Sequence, residues 1–228
     1  KGVLSPDGFS IESMSFLKDA IAVAYMENVS TKIMLLYPEK NNYRIQKVNL
    51  GKTGVASIDS VRYESNDFFI EYSDFVSPRT YYYYQGDLAQ LDLVKKSKDR
   101  FDASLFQVDQ FFSASKDGTK IPYFVVHAKD IKYDGNNPTL LYGYGGFNVS
   151  MTPGYSGLLG KVWLERGGVY VLSNIRGGNE FGPEWHDAVI KKDRMKVYED
   201  FISIAEDLIA RKITSPRHLG IQGGSNGG

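Results

Sequence analysis

The last six residues of the chain, Gly-Gly-Ser-Asn-Gly-Gly at 223–228, place a serine where it could act as a nucleophile. They contain the pattern G-x-S-x-G around Ser225, just after a short apolar run at 219–221. Such a serine stands on a sharp, strained strand-to-helix turn, where neighbouring side chains would clash and glycine is needed. The backbone N–H of Asn226 would then point at the oxyanion that forms on an attacked carbonyl. The pattern predicts acyl-transfer chemistry, and the alternative is a flexible tail rich in glycine and serine.

A second glycine-rich segment, Tyr-Gly-Tyr-Gly-Gly-Phe-Asn at 142–148, follows an apolar run at 139–142. In hydrolases with a G-x-S-x-G serine, a loop after an earlier strand supplies the second oxyanion donor. Tyr144 stands among these glycines, so its phenolic O–H could be that donor. The alternative is a tight turn whose aromatic side chains pack in a core. The spacing fits neither a phosphate-binding P-loop nor a dinucleotide loop.

The sequence offers no clear general base for Ser225. In hydrolases of this motif order the acid and the base follow the serine, but only three residues come after it here. The three histidines all precede it, and a structural role is expected for each. His127 falls in a predicted strand, His186 in a turn beside Trp185, and His218 just before the last strand. The isolated chain is therefore expected to be inactive.

From residue 113 onward, the sequence predicts strands that alternate with a helix. Short apolar runs at 121–127, 139–142, 169–173 and 219–221 read as strands. A helix fits 195–212, because apolar residues recur there at three- and four-residue spacing: Val197, Phe201, Ile204, Ala205, Leu208 and Ile209. Arg211 and Lys212 would lie in its last turn, where cations suit the negative end of the helix dipole. The alternation predicts an α/β sheet with parallel portions.

The sequence pattern of residues 1–94 predicts β structure without helices. Runs rich in β-branched and aromatic residues at 21–26 and 33–37 flank one turn, and runs at 68–72 and 80–84 flank another. The two stretches align with an offset of 47 residues, with identities at four pairs: Tyr25/Tyr72, Val29/Val76, Ser30/Ser77 and Tyr37/Tyr84. A repeat of this length with several strands per unit is typical of β-propeller blades. Two unrelated hairpins of a β-sandwich are the alternative.

Composition narrows the class of protein. The 27 basic and 27 acidic residues give a net charge of zero, so no strong attraction to nucleic acid or an anionic membrane is expected. The absence of cysteine excludes disulfides, thiolate metal sites and a cysteine nucleophile. No apolar stretch approaches the roughly 20 residues that span a bilayer. The chain opens at Lys1 without a signal-peptide pattern, and a natural targeting segment upstream stays an open alternative.

Four segments resemble the prolyl oligopeptidase family in order and spacing: 113–127 (SASKDGTKIPYFVVH), 140–148 (LLYGYGGFN), 174–182 (NIRGGNEFG) and 223–228 (GGSNGG). The resemblance implies an α/β-hydrolase domain capped by a β-propeller. It assigns 1–94 to the last blades of the propeller, 95–112 to a charged linker, and 113–228 to the first part of the peptidase domain. The related oligopeptidase B tends to carry Ser-Tyr at Gly146 and Phe147, and Ala at Asn226. At these three positions the sequence resembles the prolyl oligopeptidases rather than oligopeptidase B.

By this resemblance, Ser225 is the nucleophile, the Tyr144 hydroxyl and the Asn226 N–H form the oxyanion hole, and Phe147 and Asn226 line substrate subsites. Arg176 and Glu180 are expected near the catalytic face, as a structural salt bridge or a loop anchor.

The implied reaction is hydrolysis of short peptides after proline through an acyl-enzyme, with a downstream acid and histidine and no metal or organic cofactor. The full-length protein is expected to be a cytoplasmic monomer, although the missing natural N-terminus leaves the periplasm open. Three alternatives stay open: an oligopeptidase that cuts after basic residues, an esterase, and a non-catalytic binding protein that contains a propeller.

Overall fold

The computed structural model describes residues 9–51 and 53–228. These residues form two compact units, one with the residues up to Lys98 together with Pro153–Tyr155, and the other with Asp99–Thr152 and Ser156–Gly228. Within the described ranges, no helix has the length and apolar character needed to cross a membrane.

The first unit consists of two four-stranded antiparallel sheets, and each follows the order of the chain. The first sheet holds β1 (Phe9–Phe16), β2 (Ile21–Glu27), β3 (Ser30–Pro38) and β4 (Tyr43–Val48). The second holds β5 (Val55–Asp59), β6 (Phe68–Ser73), β7 (Thr80–Gln85) and β8 (Gln90–Lys96). β2 and β6 begin 47 residues apart, and so do β4 and β8. The repeat seen in the sequence therefore extends over a whole four-stranded meander, which is the unit of a propeller blade.

One apolar core is shared by the two sheets of this unit. Phe68 and Tyr84 are fully buried in it, with ring centroids 5.2 Å apart. Tyr37 occupies the position in the first sheet that Tyr84 occupies in the second, and it is also buried. Each fully buried large apolar side chain contributes about 1.5–3 kcal/mol. Tyr37 and Tyr84 thus mark a repeated core position, whereas Tyr25 and Tyr72, the other tyrosine pair of the repeat, lie in two different apolar clusters.

The second unit is built on a five-stranded sheet with the order β13-β11-β12-β10-β9. Its strands are β9 (Phe106–Ala114), β10 (Lys120–Ala128), β11 (Thr139–Tyr142), β12 (Val169–Ser173) and β13 (Leu219–Gln222). β11 pairs in parallel with both β12 and β13, whereas β10 pairs antiparallel with β9 and β12. The parallel portion predicted from the sequence is confirmed.

Three α-helices accompany this sheet: α1 (Gly157–Val162), α2 (Pro183–Asp187) and α3 (Met195–Ala210). Val197, Ile204 and Leu208 of α3 are buried in one cluster with side chains of the sheet. The helical pattern of the sequence is thus confirmed. Since α3 ends at Ala210, Arg211 and Lys212 follow its last turn and do not lie in it as predicted.

The segment 95–112, predicted as a linker, overlaps strands at both of its ends. β8 extends to Lys96 and β9 begins at Phe106, so the connection between the two strands is 97–105. β9 was missed because it has β10 as its single neighbour in the sheet order and most of its side chains are only half-buried. Its sequence consequently lacks the continuous apolar run that identifies a central strand. The domain limits drawn from the sequence stay predictions.

Candidate active site

Ser225 stands just beyond the end of β13, on a sharp turn of the backbone. Its φ is 54°, in the left-handed region that residues with a side chain seldom adopt. A Cβ at Gly223 would overlap the carbonyl oxygen of Gly227, and a Cβ at Gly227 would overlap the carbonyl oxygen of Gly143. Gly224, by contrast, has open space around it. Packing therefore demands the two glycines of the G-x-S-x-G pattern, and the turn leaves Ser225 exposed.

The loop of Tyr144 lies directly beside this turn. β11 and β13 are parallel neighbours with Tyr142 opposite Gln222, so the segments that follow leave the sheet at the same edge. The Gly143 N–H donates to the carbonyl oxygen of Gln222 over 3.0 Å. The side-chain amide of Asn226 donates through Nδ2 to the carbonyl oxygen of Tyr144 over 2.8 Å. Two motifs that lie far apart in the sequence thus form one site.

The Tyr144 loop takes a left-handed path as it passes the turn. Gly145, Phe147 and Asn148 have φ values of 58°, 52° and 57°. A Cβ at Gly146 would overlap the side-chain amide of Asn226, so glycine is required there. Phe147 is 72 % exposed and therefore does not belong to a core. Its role in substrate binding stays a prediction.

Two concavities adjoin these residues. A small cavity of about 70 Å³ is lined by Tyr144, Asn226 and apolar side chains that include Val197. An open cleft of about 540 Å³ is lined by Phe147, Asn226 and residues that include Lys191. The two residues predicted to bind substrate thus line the same cleft.

Arg194, which the sequence did not single out, contacts both glycine-rich motifs. Its Nη1 donates to the carbonyl oxygen of Gly145 over 2.6 Å, and its Nη2 donates to Oδ1 of Asn226 over 3.1 Å. Arg194 ends the charged run KKDR at 191–194, directly before α3. Such a run usually reads as a solvated segment, and nothing in its spacing connects it to the two motifs.

Both halves of the chain match described protein families. Residues 6–97 match the family model "Prolyl oligopeptidase, N-terminal beta-propeller domain", and residues 156–228 match the model "Prolyl oligopeptidase family". The chain belongs to the prolyl oligopeptidase family. The predicted fold class is confirmed as well, since the chain combines propeller blades with the start of the α/β-hydrolase domain of that family.

Several relatives and solved structures resemble nearly the whole chain. An uncharacterised peptidase of Sinorhizobium fredii is 45% identical over 219 residues, covering 96% of this chain and 30% of the relative. The prolyl endopeptidase of Elizabethkingia meningoseptica is 36% identical over 190 residues, covering 83% of this chain and 27% of the relative. The structure of a post-proline cleaving enzyme from Rickettsia typhi shares 37% identity with a TM-score of 0.84, covering 96% of this chain and 32% of that one. The chain spans about a third of the length of these relatives.

Beside these motifs, in the segment 174–182, Arg176 forms a buried ion-pair network. It is 4 % exposed, and its Nη2 donates to Oδ1 of the fully buried Asp200 over 2.6 Å. Its Nε and its backbone N–H both donate to Oδ2 of the same carboxylate. Nη1 donates to Asp117 over 2.6 Å, and this hydrogen bond holds the pKa of Asp117 well below its usual range. The structural salt bridge expected at Arg176 is therefore present.

Glu180 lies in the same loop as Arg176, the segment 174–182, and anchors it from a buried position. Its side chain is 1 % exposed, and Oε1 accepts a hydrogen bond from the backbone N–H of Met151 over 2.8 Å. Within the described part of the chain, Oε2 has no hydrogen-bond partner. Burial raises the pKa of Glu180 to about 7. One residue of this loop, Gly177, also accepts from the backbone N–H of Asn148, so the loop supports the Tyr144 loop.

The described contacts of the three histidines are made by the side chain in His127 and His186 and by the backbone in His218. His127 is buried, with Nε2 2.9 Å from Oδ2 of Asp109. His186 belongs to α2 rather than to a turn, and its Nδ1 lies 2.8 Å from the carbonyl oxygen of Gly177. The carbonyl oxygen of His218 accepts from the first backbone N–H of β11 over 2.9 Å. None of these contacts involves the candidate nucleophile.

Proposed function

We propose that the full-length protein that carries this sequence is a serine endopeptidase that hydrolyses short peptides on the carboxyl side of proline. The observation that supports it best is the turn at Ser225, whose left-handed φ exposes a serine beside the Tyr144 loop. The family membership of the chain supports peptidase chemistry. Relatives named prolyl endopeptidases support the preference for proline.

The proposed reaction is acyl transfer in two steps. Ser225 Oγ attacks the carbonyl carbon of the prolyl residue while a histidine downstream of Gly228 takes the hydroxyl proton. The oxyanion of the tetrahedral intermediate accepts hydrogen bonds from the Tyr144 O–H and the Asn226 N–H. When the C–N bond breaks, the histidine returns the proton to the leaving amine and an ester to Ser225 remains. Water then attacks this ester, and its cleavage releases the acid and restores the serine hydroxyl.

The open cleft suits the substrate side of this reaction. Phe147 offers an exposed aromatic face, on which the apolar ring of a proline can pack. Asn226 lines the same cleft and presents polar atoms next to the nucleophile. The proposed reaction uses no metal and no organic cofactor, and the proposed location of the monomeric full-length protein is the cytoplasm.

Labelling with a fluorophosphonate probe tests the nucleophile. The full-length protein should be labelled at Ser225, and Ser225→Ala should abolish labelling. Ser60→Ala is the matched control, because Ser60 is also exposed with a left-handed φ of 50° but lies in the propeller half. This control should keep full labelling. Labelling that survives in Ser225→Ala would refute the assignment.

The 228-residue chain alone should label weakly or not at all, since the proposed base lies outside it. Equal labelling of the short and long proteins would place the base within the chain, with His186 or His218 as candidates.

The specificity is then measured as kcat/KM on matched substrates with proline or arginine before the scissile bond. Faster cleavage after arginine would favour an oligopeptidase specific for basic residues, cleavage of esters alone would indicate an esterase, and no labelling at all would favour a non-catalytic binding protein.

A further inference from the structure

Arg194 connects the two motifs of the candidate active site through one planar group. Its guanidinium donates to the carbonyl oxygen of Gly145 in the Tyr144 loop and to Oδ1 of Asn226 in the serine turn. These partners lie 49 and 32 residues away in the sequence. Hydrogen bonds from a charged donor are roughly twice as strong as those between neutral groups. The two bonds therefore hold both segments to the start of α3.

The bond to Oδ1 also fixes the orientation of the Asn226 amide. Oδ1 faces the guanidinium of Arg194, while Nδ2 donates to the carbonyl oxygen of Tyr144. A flipped amide would place its NH₂ group against the guanidinium and its oxygen against a carbonyl, so both hydrogen bonds would be lost. The side chain of Asn226 is thus locked between a donor and an acceptor.

This connection lies where the sheet no longer aligns the two segments. The pairing of β11 with β13 ends at Tyr142 and Gln222, and the bond from the Gly143 N–H extends it by one residue. Tyr144 and Ser225 lie beyond that point. Oxyanion donors must be held within about 0.5 Å of their productive positions. A backbone ladder that stops short of the donors does not provide this precision.

We propose that Arg194 is a positioning residue, whose two hydrogen bonds set the spacing between the Tyr144 loop and the serine turn so that both oxyanion donors reach one oxygen atom. This inference rests on the proposed function. It assigns Arg194 no contact with the substrate. Its effect reaches the reaction through Gly145 and Asn226.

The test uses the full-length protein with Arg194→Met and Arg194→Lys. Methionine keeps an aliphatic stem and removes both donors, whereas lysine keeps the charge but reaches only one of the two acceptors. Lys192→Met is the matched control, since Lys192 is an exposed cation of the same short segment. Because a displacement of about 1 Å in a site can reduce the rate about a hundredfold, we expect kcat to fall about a hundredfold in Arg194→Met and about tenfold in Arg194→Lys, with KM nearly unchanged. The control should keep the kcat of the parent.

A pair of inhibitors separates positioning from a general structural role. A peptidyl-proline aldehyde adds to the serine and forms an oxyanion, whereas the corresponding alcohol cannot. Arg194→Met should lower the affinity for the aldehyde by the same factor by which it lowers kcat. It should leave the affinity for the alcohol unchanged. Equal loss of affinity for both inhibitors, or an unchanged kcat, would overturn the proposal. If Arg194→Met does not fold, Arg194→Lys decides by the same comparison.

The outcome for Ser225→Ala keeps the two proposals apart. If Ser225→Ala keeps its peptidase activity, the proposed function fails, whatever Arg194 does. If Ser225→Ala is inactive while both Arg194 variants retain full turnover, the proposed function stands and the positioning role of Arg194 fails.

Discussion

Arg176 lies within the glycine-rich segment 174–182, whereas Arg194 contacts the two glycine-rich motifs from the start of α3, and the two arginines are used in opposite ways. Arg176 is buried, and its partners are the carboxylates of Asp200 and Asp117. Arg194 is half-buried, and its two hydrogen-bond partners are a neutral carbonyl group and a neutral amide. A buried charge must be neutralised, so the partners of Arg176 are acids. Arg194 is partly exposed, so solvent can stabilise its charge. Its guanidinium can therefore contribute through the geometry of its two hydrogen bonds to neutral groups.

The difference separates two kinds of substitution. Changes in the Arg176 network should lower the stability of the fold first, because they leave a buried charge without its partner. Changes at the exposed edge should lower turnover first, because they leave no buried charge without its partner.

The largest loss of stability is expected from Asp200→Asn in the full-length protein. Asp200 is fully buried and accepts three hydrogen bonds from Arg176 and one from Ser115. Removing one partner of a buried ion pair typically costs about 3–5 kcal/mol. Asp117→Asn is the matched control, since Asp117 pairs with the same arginine but its side chain is 34% exposed. In chemical denaturation, Asp117→Asn should lose clearly less free energy of unfolding than Asp200→Asn. An equal or larger loss would contradict the distinction between buried and exposed partners of Arg176.

The largest specific loss of turnover short of the nucleophile is expected from Tyr144→Phe. This change keeps the ring and removes only the hydroxyl. Loss of one oxyanion donor typically costs about 2.7–4 kcal/mol, a hundred- to thousandfold in kcat. Tyr142→Phe, which removes a hydroxyl from the adjoining strand, is the matched control. Steady-state kinetics on a proline-containing amide should show the loss in Tyr144→Phe alone, with an unchanged melting temperature. Normal turnover would leave Tyr144 as a packing residue.

Much of the fold was predictable because buried strands have a clear sequence pattern. The runs at 139–142 and 169–173 match β11 and β12 in both bounds, since these short strands lie inside the sheet and carry mostly apolar side chains. β4 and β8 were missed because each ends its sheet and exposes most of its polar side chains. Such strands are stabilised mainly by pairing with a neighbouring strand. A local sequence pattern does not reveal this pairing.

The candidate site was predictable only in part, for a related reason. Ser225 and Tyr144 lie in glycine-rich turns whose chemistry demands particular residues at fixed spacing. Arg194 acts through hydrogen bonds to segments that are distant in the sequence, and its own neighbours are ordinary charged residues. Its role depends on where β11, β13 and α3 meet, which only the tertiary structure reveals.

The smallest expected effect is a pH-dependent one at Glu180, a buried acid for which the described residues supply no salt bridge. Burial raises the pKa of Glu180 to about 7 in the folded protein, from a usual value of 4.5. The folded state therefore holds this proton more tightly than the unfolded state does. The stability that the proton contributes is complete below about pH 4.5, declines as the pH rises to about 7, and is absent above that value.

Glu180→Gln should remove this decline. Glutamine keeps an oxygen that can accept the Met151 N–H but does not titrate, so the variant should gain stability relative to the parent as the pH rises from about 4.5 to 7. Each pKa unit corresponds to about 1.36 kcal/mol, so the gain should reach at most about 3 kcal/mol. Denaturation of the full-length protein at several pH values measures it, with Glu184→Gln on the exposed face of α2 as the control. A stability difference that does not change with pH would mean that Glu180 is already ionised in the folded protein, and a buried carboxylate would then be tolerated here without the cationic partner that Asp200 has.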